Sequence, residues 1–157
     1  MANSRLCVRF LKGVPADVRA ECRRVARGFA RLSPVRHDVV VLVVPHDAIR
    51  CEWDMAGPLS YGLFEHPKRR RSLPAFVTVA ARVPRTDYRR RFVRERYDGW
   101  ISLHLRAVGH TLLHELVHYE QWRDRRPMTE RGVNVRARGL YRRIDDGTAR
   151  KDRGEPK

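Results

Sequence analysis

The sequence has few cysteines, and none of them has the spacing of a metal-binding or redox motif. Cys7, Cys22 and Cys51 are the only three among 157 residues, and no two form Cys-x-x-Cys. An odd, scattered set argues against a disulfide framework and against a thiolate zinc site. It is typical of a reducing compartment, so we expect three small buried side chains and a cytoplasmic location.

Long apolar runs are also lacking. No stretch approaches the roughly 20 apolar residues that a transmembrane helix needs. Arg9 interrupts the apolar segment near the start, which argues against a secretory signal peptide. Internal repeats and Gly/Ser-rich linkers are missing too, and 157 residues is the length of one ordinary domain. We therefore expect a monomer without a membrane partner, with one domain at residues 1–144 and a flexible charged tail at residues 145–157.

Acidic residues are scarce beside basic ones. The chain has 34 Lys+Arg against 18 Asp+Glu, a net charge of +16, and arginine supplies most of it because only four positions are lysine. A basic surface suggests a polyanionic partner, and nucleic acid is the obvious class. The basic residues are spread along the whole chain, however, so a solvated shell that reflects arginine-favouring codons stays open. The lysines are Lys12, Lys68, Lys151 and Lys157.

The apolar pattern predicts an α+β fold in which a small, twisted, mainly antiparallel sheet packs against the two last helices. Residues 53–58 and 68–71 are expected in loops, the second of them a basic turn, and residues 85–96 in a solvated helix or turn. The predicted elements are a strand at residues 6–10, a helix that opens at Pro15 and is ended by Ser33-Pro34, strands at 39–44, 61–65 and 75–82, a long helix at about 101–122, and a helix from Thr129 to about Arg143.

One segment carries a metal-binding motif. His114-Glu115-Leu116-Val117-His118 reads H-E-x-x-H inside the predicted long helix. Two histidines four residues apart lie on one helix face, where both imidazoles can bind one zinc ion. Glu115 is rotated by about 100° and can act as general base toward a metal-bound water. The pattern predicts one zinc per chain; two surface histidines and a salt-bridging glutamate are the alternative.

A zinc hydrolase needs a third protein ligand and an open fourth position, and three residues are candidates. Glu120 would point away from the histidines on a continuing helix. Asp124 has the spacing of a ligand that follows a sharp turn, but Gln121 occupies the place of the glycine which that turn requires. Glu130 follows the break at Pro127, on a helix that can fold back. We expect Glu130 to be the third ligand.

Three further residues are candidates for supporting roles. Asn134 shares a helix face with Glu130 and could hydrogen-bond a ligand histidine. His110 lies one turn before His114 and could donate to a developing oxyanion, or it could line the cleft without a role. Tyr141 shares the face of Asn134 but lies about three turns from Glu130, where core packing is the alternative role.

The segment of residues 111–122, followed by Glu130, resembles the gluzincin clan of zinc proteases. It is most similar to the small single-domain members, the minigluzincins. SprT-like and ImmA/IrrE-type metalloproteases are similar over the same stretch. The resemblance covers residues 104–143, and its motif is specific for the clan rather than for one family.

The resemblance implies a zinc-dependent peptidase with Glu115 as the base. It also implies a sheet whose edge strand, here Ala75 to Arg82, lines the cleft and receives a peptide by strand addition. Asn134 is a departure, because gluzincins often carry an aspartate there, so we expect a ligand of lower basicity. The zinc ligands that the resemblance implies are His114, His118 and Glu130.

Two other functions stay open. In one, a SprT-like protease, the positive charge recruits the enzyme to protein on nucleic acid. In the other, the fold is catalytically idle and its basic surface acts as a binding module. Structural zinc is disfavoured because such sites usually have four protein ligands, typically including cysteine. The tail is expected to be solvated, although an acidic residue such as Asp145 could reach back to the open metal position and make the enzyme latent.

Overall fold

The computed structural model describes residues 5–49, 60–67, 73–82 and 100–152. The predicted loops at residues 53–58 and 68–71, the arginine-rich segment at 85–96, and Cys51 lie outside the described residues. In the described parts the chain has an α+β fold with a four-stranded mixed sheet and three helices. These elements are β1 (Leu6–Phe10), α1 (Ala16–Leu32), β2 (Val39–Val44), β3 (Gly62–Glu65), β4 (Ala75–Ala80), α2 (Trp100–Arg123) and α3 (Glu130–Asp152).

The order of strands and helices along the chain confirms the sequence prediction, and the element ends shift by a few residues. Strand β4 ends at Ala80 rather than at Arg82. None of the helices in the described ranges is long and apolar enough to cross a membrane.

The sheet is mainly parallel, so the prediction of a mainly antiparallel sheet is wrong. Its strand order is β1-β2-β4-β3, with β1, β2 and β4 mutually parallel and β3 antiparallel to β4. Helix α1 connects β1 to β2, and a helical crossover of this kind returns the chain to the end of the sheet at which it began. The uninterrupted apolar run of β2 is typical of a buried parallel strand.

The position of β4 corrects a second expectation. Strand β4 lies inside the sheet, paired with β2 on one side and β3 on the other. Among the described strands, β3 rather than β4 is the edge beside α2. The strand expected to line the cleft is therefore Gly62–Glu65.

The core lies between one face of the sheet and the helices α1 and α2. Val41 and Val77 from the sheet, Phe29 from α1 and Leu112 from α2 are all 0% exposed. Helix α3 packs on α1 and α2 and does not reach the described strands, contrary to the expectation that it covers the sheet. Its approach to α1 is close, because a Cβ at Gly28 would lie 2.6 Å from Cγ1 of Ile144.

A tight turn reverses the chain between α2 and α3. Arg125 has a φ of 56°, and the N–H of Arg126 donates to the carbonyl of Gln121 at 2.8 Å. A left-handed residue with this backward bond is a Schellman-type helix end. Thr129, the predicted N-cap, accepts the N–H of Val133 at 3.1 Å through its carbonyl. Helix α3 therefore starts directly after Thr129, as the sequence predicts.

Helix α3 is longer than predicted. It continues past Arg143 to Asp152, so residues 145–152, expected to begin a flexible tail, are helical. The carboxylate of Asp145 accepts a hydrogen bond from Nη1 of Arg24 at 2.7 Å. At 1.5 Å per residue Asp145 lies about 22 Å along the helix from Glu130. Asp145 therefore does not reach back to Glu130 and the motif histidines.

We expect Arg125→Gly to stabilise the protein by about 0.5–1 kcal/mol. The left-handed conformation costs an L-residue roughly 1–2 kcal/mol, and the greater chain entropy of glycine offsets part of that gain. Urea denaturation measures the change. Arg126→Gly is the matched control, since it removes the same charge at a position without positive φ. Equal stability of the two variants would show that the turn is not strained.

Candidate metal centre

Helix α2 places its two motif histidines side by side. The Nε2 atoms of His114 and His118 are 3.2 Å apart, and their ring centroids are 4.8 Å apart at an angle of 75°. Helix α3 brings Glu130 to both of them, with Oε2 at 3.2 Å from Nε2 of His114 and Oε1 at 3.2 Å from Nε2 of His118. The three side chains form a group that can hold a metal ion.

The donor atoms fit a tetrahedral metal ion. Ligand atoms about 2.0–2.1 Å from a tetrahedral centre are roughly 3.3 Å from one another. This is close to the 3.2 Å between the two histidine nitrogens and between each nitrogen and one of the two Glu130 oxygens. Two imidazole nitrogens and one carboxylate oxygen form a donor set that suits zinc. The Glu130 side chain is 73% exposed, so this side of the group is open to solvent. An open side leaves room for a non-protein ligand.

Asn134 supports one of the histidines. Its Oδ1 lies 3.3 Å from Nδ1 of His114. When this nitrogen donates its proton to the amide, the lone pair of the imidazole is at Nε2 and faces the other donor atoms. His118 differs, because its Nδ1 is buried and has no hydrogen-bond partner in the described part of the chain.

Glu115 lies beside the metal-binding group against the edge strand. Its residue is 7% exposed, and its carboxylate accepts the backbone N–H of Phe64 in β3. Burial, followed by the negative charge of Glu130, raises the pKa of Glu115 to about 8, and the hydrogen bond from Phe64 opposes that rise. A carboxyl with a raised pKa beside a metal group has the properties of a general acid and base.

The edge strand presents two residues to this carboxylate. Because the N–H of Ala80 donates to the carbonyl of Tyr61, alternation in the antiparallel pair directs the backbone groups of Gly62 and Phe64 away from β4. The N–H of Phe64 thereby meets Glu115.

Gly62 is a site residue that the sequence reasoning missed. A Cβ at Gly62 would lie 2.7 Å from Cγ and from Oε1 of Glu115, and 2.8 Å from Cγ2 of Thr111. Only a residue without a side chain lets helix and strand approach this closely. A glycine within a short predicted strand was the available signal, but the sequence did not show which helix it faces.

The other two candidate ligands bind arginines instead. Both carboxylate oxygens of Glu120 accept hydrogen bonds from Arg136, at 3.0 and 3.1 Å. Asp124 likewise accepts two from Arg123, at 2.7 and 2.9 Å, which lowers the pKa of that aspartate. Neither belongs to the metal-binding group found among the described residues.

His110 and Tyr141 contact each other. Their rings stack with centroids 4.2 Å apart at 16°. The hydroxyl of Tyr141 donates to Oε1 of Glu21 at 2.7 Å and accepts from Nη2 of Arg24 at 3.1 Å. Burial and the charge of Glu21 raise the pKa of this tyrosine. The structure therefore places Tyr141 in a buried polar cluster with α1.

Comparisons of the chain with protein-family models, with curated proteins and with solved structures return no match. The geometry of the centre is therefore the basis on which a function is proposed.

We expect Gly62→Ala to displace the Glu115 carboxylate from the Phe64 N–H, because the added Cβ overlaps it. The amide resonance of Phe64 should shift, and the free energy of unfolding should fall by about 1–3 kcal/mol. Gly139→Ala is the matched control: it has nothing within 4 Å of the added Cβ, so stability should hold or rise by up to about 1 kcal/mol. An unmoved Phe64 resonance in Gly62→Ala would contradict the contact.

Proposed function

We propose that this chain is a zinc-dependent peptidase with an H-E-x-x-H…E centre similar to that of the gluzincin clan and its minigluzincins. The observation that supports the proposal is that two histidine nitrogens 3.2 Å apart each lie 3.2 Å from one oxygen of the Glu130 carboxylate, beside a second, buried carboxyl. His114, His118 and Glu130 would hold the metal, and Glu115 would be the base. The cytoplasmic location and the monomeric state stay predictions.

The chemistry divides between the metal and Glu115. Zinc bound at this group would polarise the carbonyl of a peptide bond, lower the pKa of water toward about 7 and favour the ionised form of the neighbouring carboxyl. Glu115 accepts a proton from the attacking water and returns it to the leaving amine. The N–H of Phe64 holds the carboxylate in place during both transfers.

Strand β3 supports the proposal that the substrate is an extended peptide. It is the edge of the described sheet on the side of Glu115, and a peptide can add to such an edge through backbone hydrogen bonds. Because Glu115 occupies the N–H of Phe64, pairing at that residue would use its carbonyl. Glu115 and the bound peptide would thus both hydrogen-bond to the backbone of β3.

Zinc binding should depend on Glu130 and not on Asp124. Glu130→Ala removes one of three ligand atoms, so the affinity should fall by more than the roughly 10- to 100-fold typical of outer-shell partners. Asp124→Ala should leave it nearly unchanged, because Arg123 already holds that carboxylate. Elemental analysis should give one zinc per wild-type chain, and competition with a chromophoric chelator gives the affinities. The reverse order of the variants, or no zinc at all, would contradict the assignment.

Glu115→Gln should retain zinc and lose peptidase activity by about 10²- to 10⁴-fold, the contribution typical of a general base. Release of fluorescent fragments from an unfolded protein substrate measures the rate, with zinc content determined on the same samples. Asp124→Ala is the active control. If zinc binds but the wild-type and Glu115→Gln proteins cleave at equal rates, the centre binds the metal and Glu115 is not a general base.

A further inference from the structure

Helix α1 presents a row of arginines on its outer face. Arg23, Arg27 and Arg31 are all exposed and are four residues apart. One step of four residues rises about 6 Å, so the row is about 12 Å long. At about 3.4 Å per nucleotide along a duplex strand, this length corresponds to roughly four phosphates.

Within the described ranges no acidic side chain neutralises the guanidinium groups of this row. In the described part of the chain none of them forms an ion pair; their contacts are with backbone carbonyls and one ring. Nε of Arg27 donates to the carbonyl of Arg23 at 3.2 Å, and Nε of Arg31 donates to that of Arg27 at 3.3 Å. The guanidinium of Arg23 lies 4.9 Å from the ring centre of Phe10. Such contacts orient the groups and leave their charge available to an anion.

The acidic residues of α1 are engaged elsewhere. Arg24 binds both carboxylate oxygens of Glu21 at 2.7 and 2.8 Å. Asp17, in the first turn, accepts the N–H of Val18 at 2.8 Å. Residues 22–37 contain no acidic side chain. The positive potential of the row is therefore not cancelled from within its own segment.

The composition of this face favours nucleic acid over a membrane or a protein partner. The apolar stripe of α1, including Val25 and Phe29, is 0% exposed, so the helix has no apolar face to insert among lipids. The exposed residues of α1 nearest to the arginines are Ala20, one turn before the row, and Ala30, which are too small to act as the anchor of a protein interface. Guanidinium groups match phosphate oxygens in charge and in paired hydrogen bonds.

We propose that Arg23, Arg27 and Arg31 on α1 form a site for the phosphate backbone of nucleic acid, read without regard to base sequence. The site goes beyond the peptidase, whose ligands are on α2 and α3. Binding of this kind releases counterions, so its affinity falls steeply with salt.

The test is the salt dependence of binding to a fluorescent DNA duplex, measured by anisotropy with the full-length, zinc-loaded protein. Each phosphate contact contributes about 0.9 to the slope of log affinity against log salt, so Arg27→Gln/Arg31→Gln should reduce the slope by about 1.8. Arg138→Gln/Arg143→Gln removes the same charge from exposed positions on α3 and should leave the slope nearly unchanged. Arg27→Lys/Arg31→Lys keeps the charge and should keep most of the slope.

Three results would overturn the proposal. Equal losses of slope in the α1 and α3 glutamine variants would mean that net charge alone attracts DNA. No binding of wild-type protein at physiological salt would exclude a working site. Tighter binding to phosphatidylserine vesicles than to DNA, lost in the α1 variant, would assign the row to a membrane surface. Zinc content and thermal unfolding of each variant show whether the fold is kept. If a glutamine variant is unstable, the lysine variant is compared with the wild-type protein instead.

Discussion

Two imidazole nitrogens lie 3.2 Å apart where α2 and α3 meet, and each is 3.2 Å from a different oxygen of one carboxylate. Lone pairs at this distance repel one another unless a proton or a cation lies among them. The convergence is therefore favourable only when positive charge is shared at its centre. The rest of the fold can be understood as the means by which two helices are held close enough for this to happen.

Contacts far from the centre hold the second of those helices in place. The C-terminal part of α3 packs on α1. There Ile144 lies directly against Gly28, and Asp145 pairs with Arg24. The same arginine joins Glu21 and the hydroxyl of Tyr141 in a buried cluster. A buried cluster of this kind contributes more to a unique arrangement than to net stability. It fixes α3, which carries Glu130 at its other end.

Local pattern predicted the parts of the centre that lie within one turn of helix, and it failed where distant segments meet. The spacing of His114 and His118 determines their shared face without reference to the fold. The direction of strand pairing depends on the path of the chain between the strands. A helix between two strands, as between β1 and β2, indicates parallel pairing. The role of Gly62 arises only from contact with a helix some fifty residues later in the sequence. The helical continuation of α3 differs from the predicted flexible tail because Asp145 pairs with Arg24 on α1.

The order of the candidate ligands along the chain bears on how the centre would assemble during synthesis. Both histidines precede Glu130, and a chain emerges from the ribosome with its N-terminal part first. Until α3 has emerged and folded back onto α2, the nascent protein presents two imidazole nitrogens without the carboxylate, and two donor atoms bind a metal ion less firmly than three. On the proposed function, firm capture of the metal would therefore follow the docking of α3 and not the synthesis of the histidines.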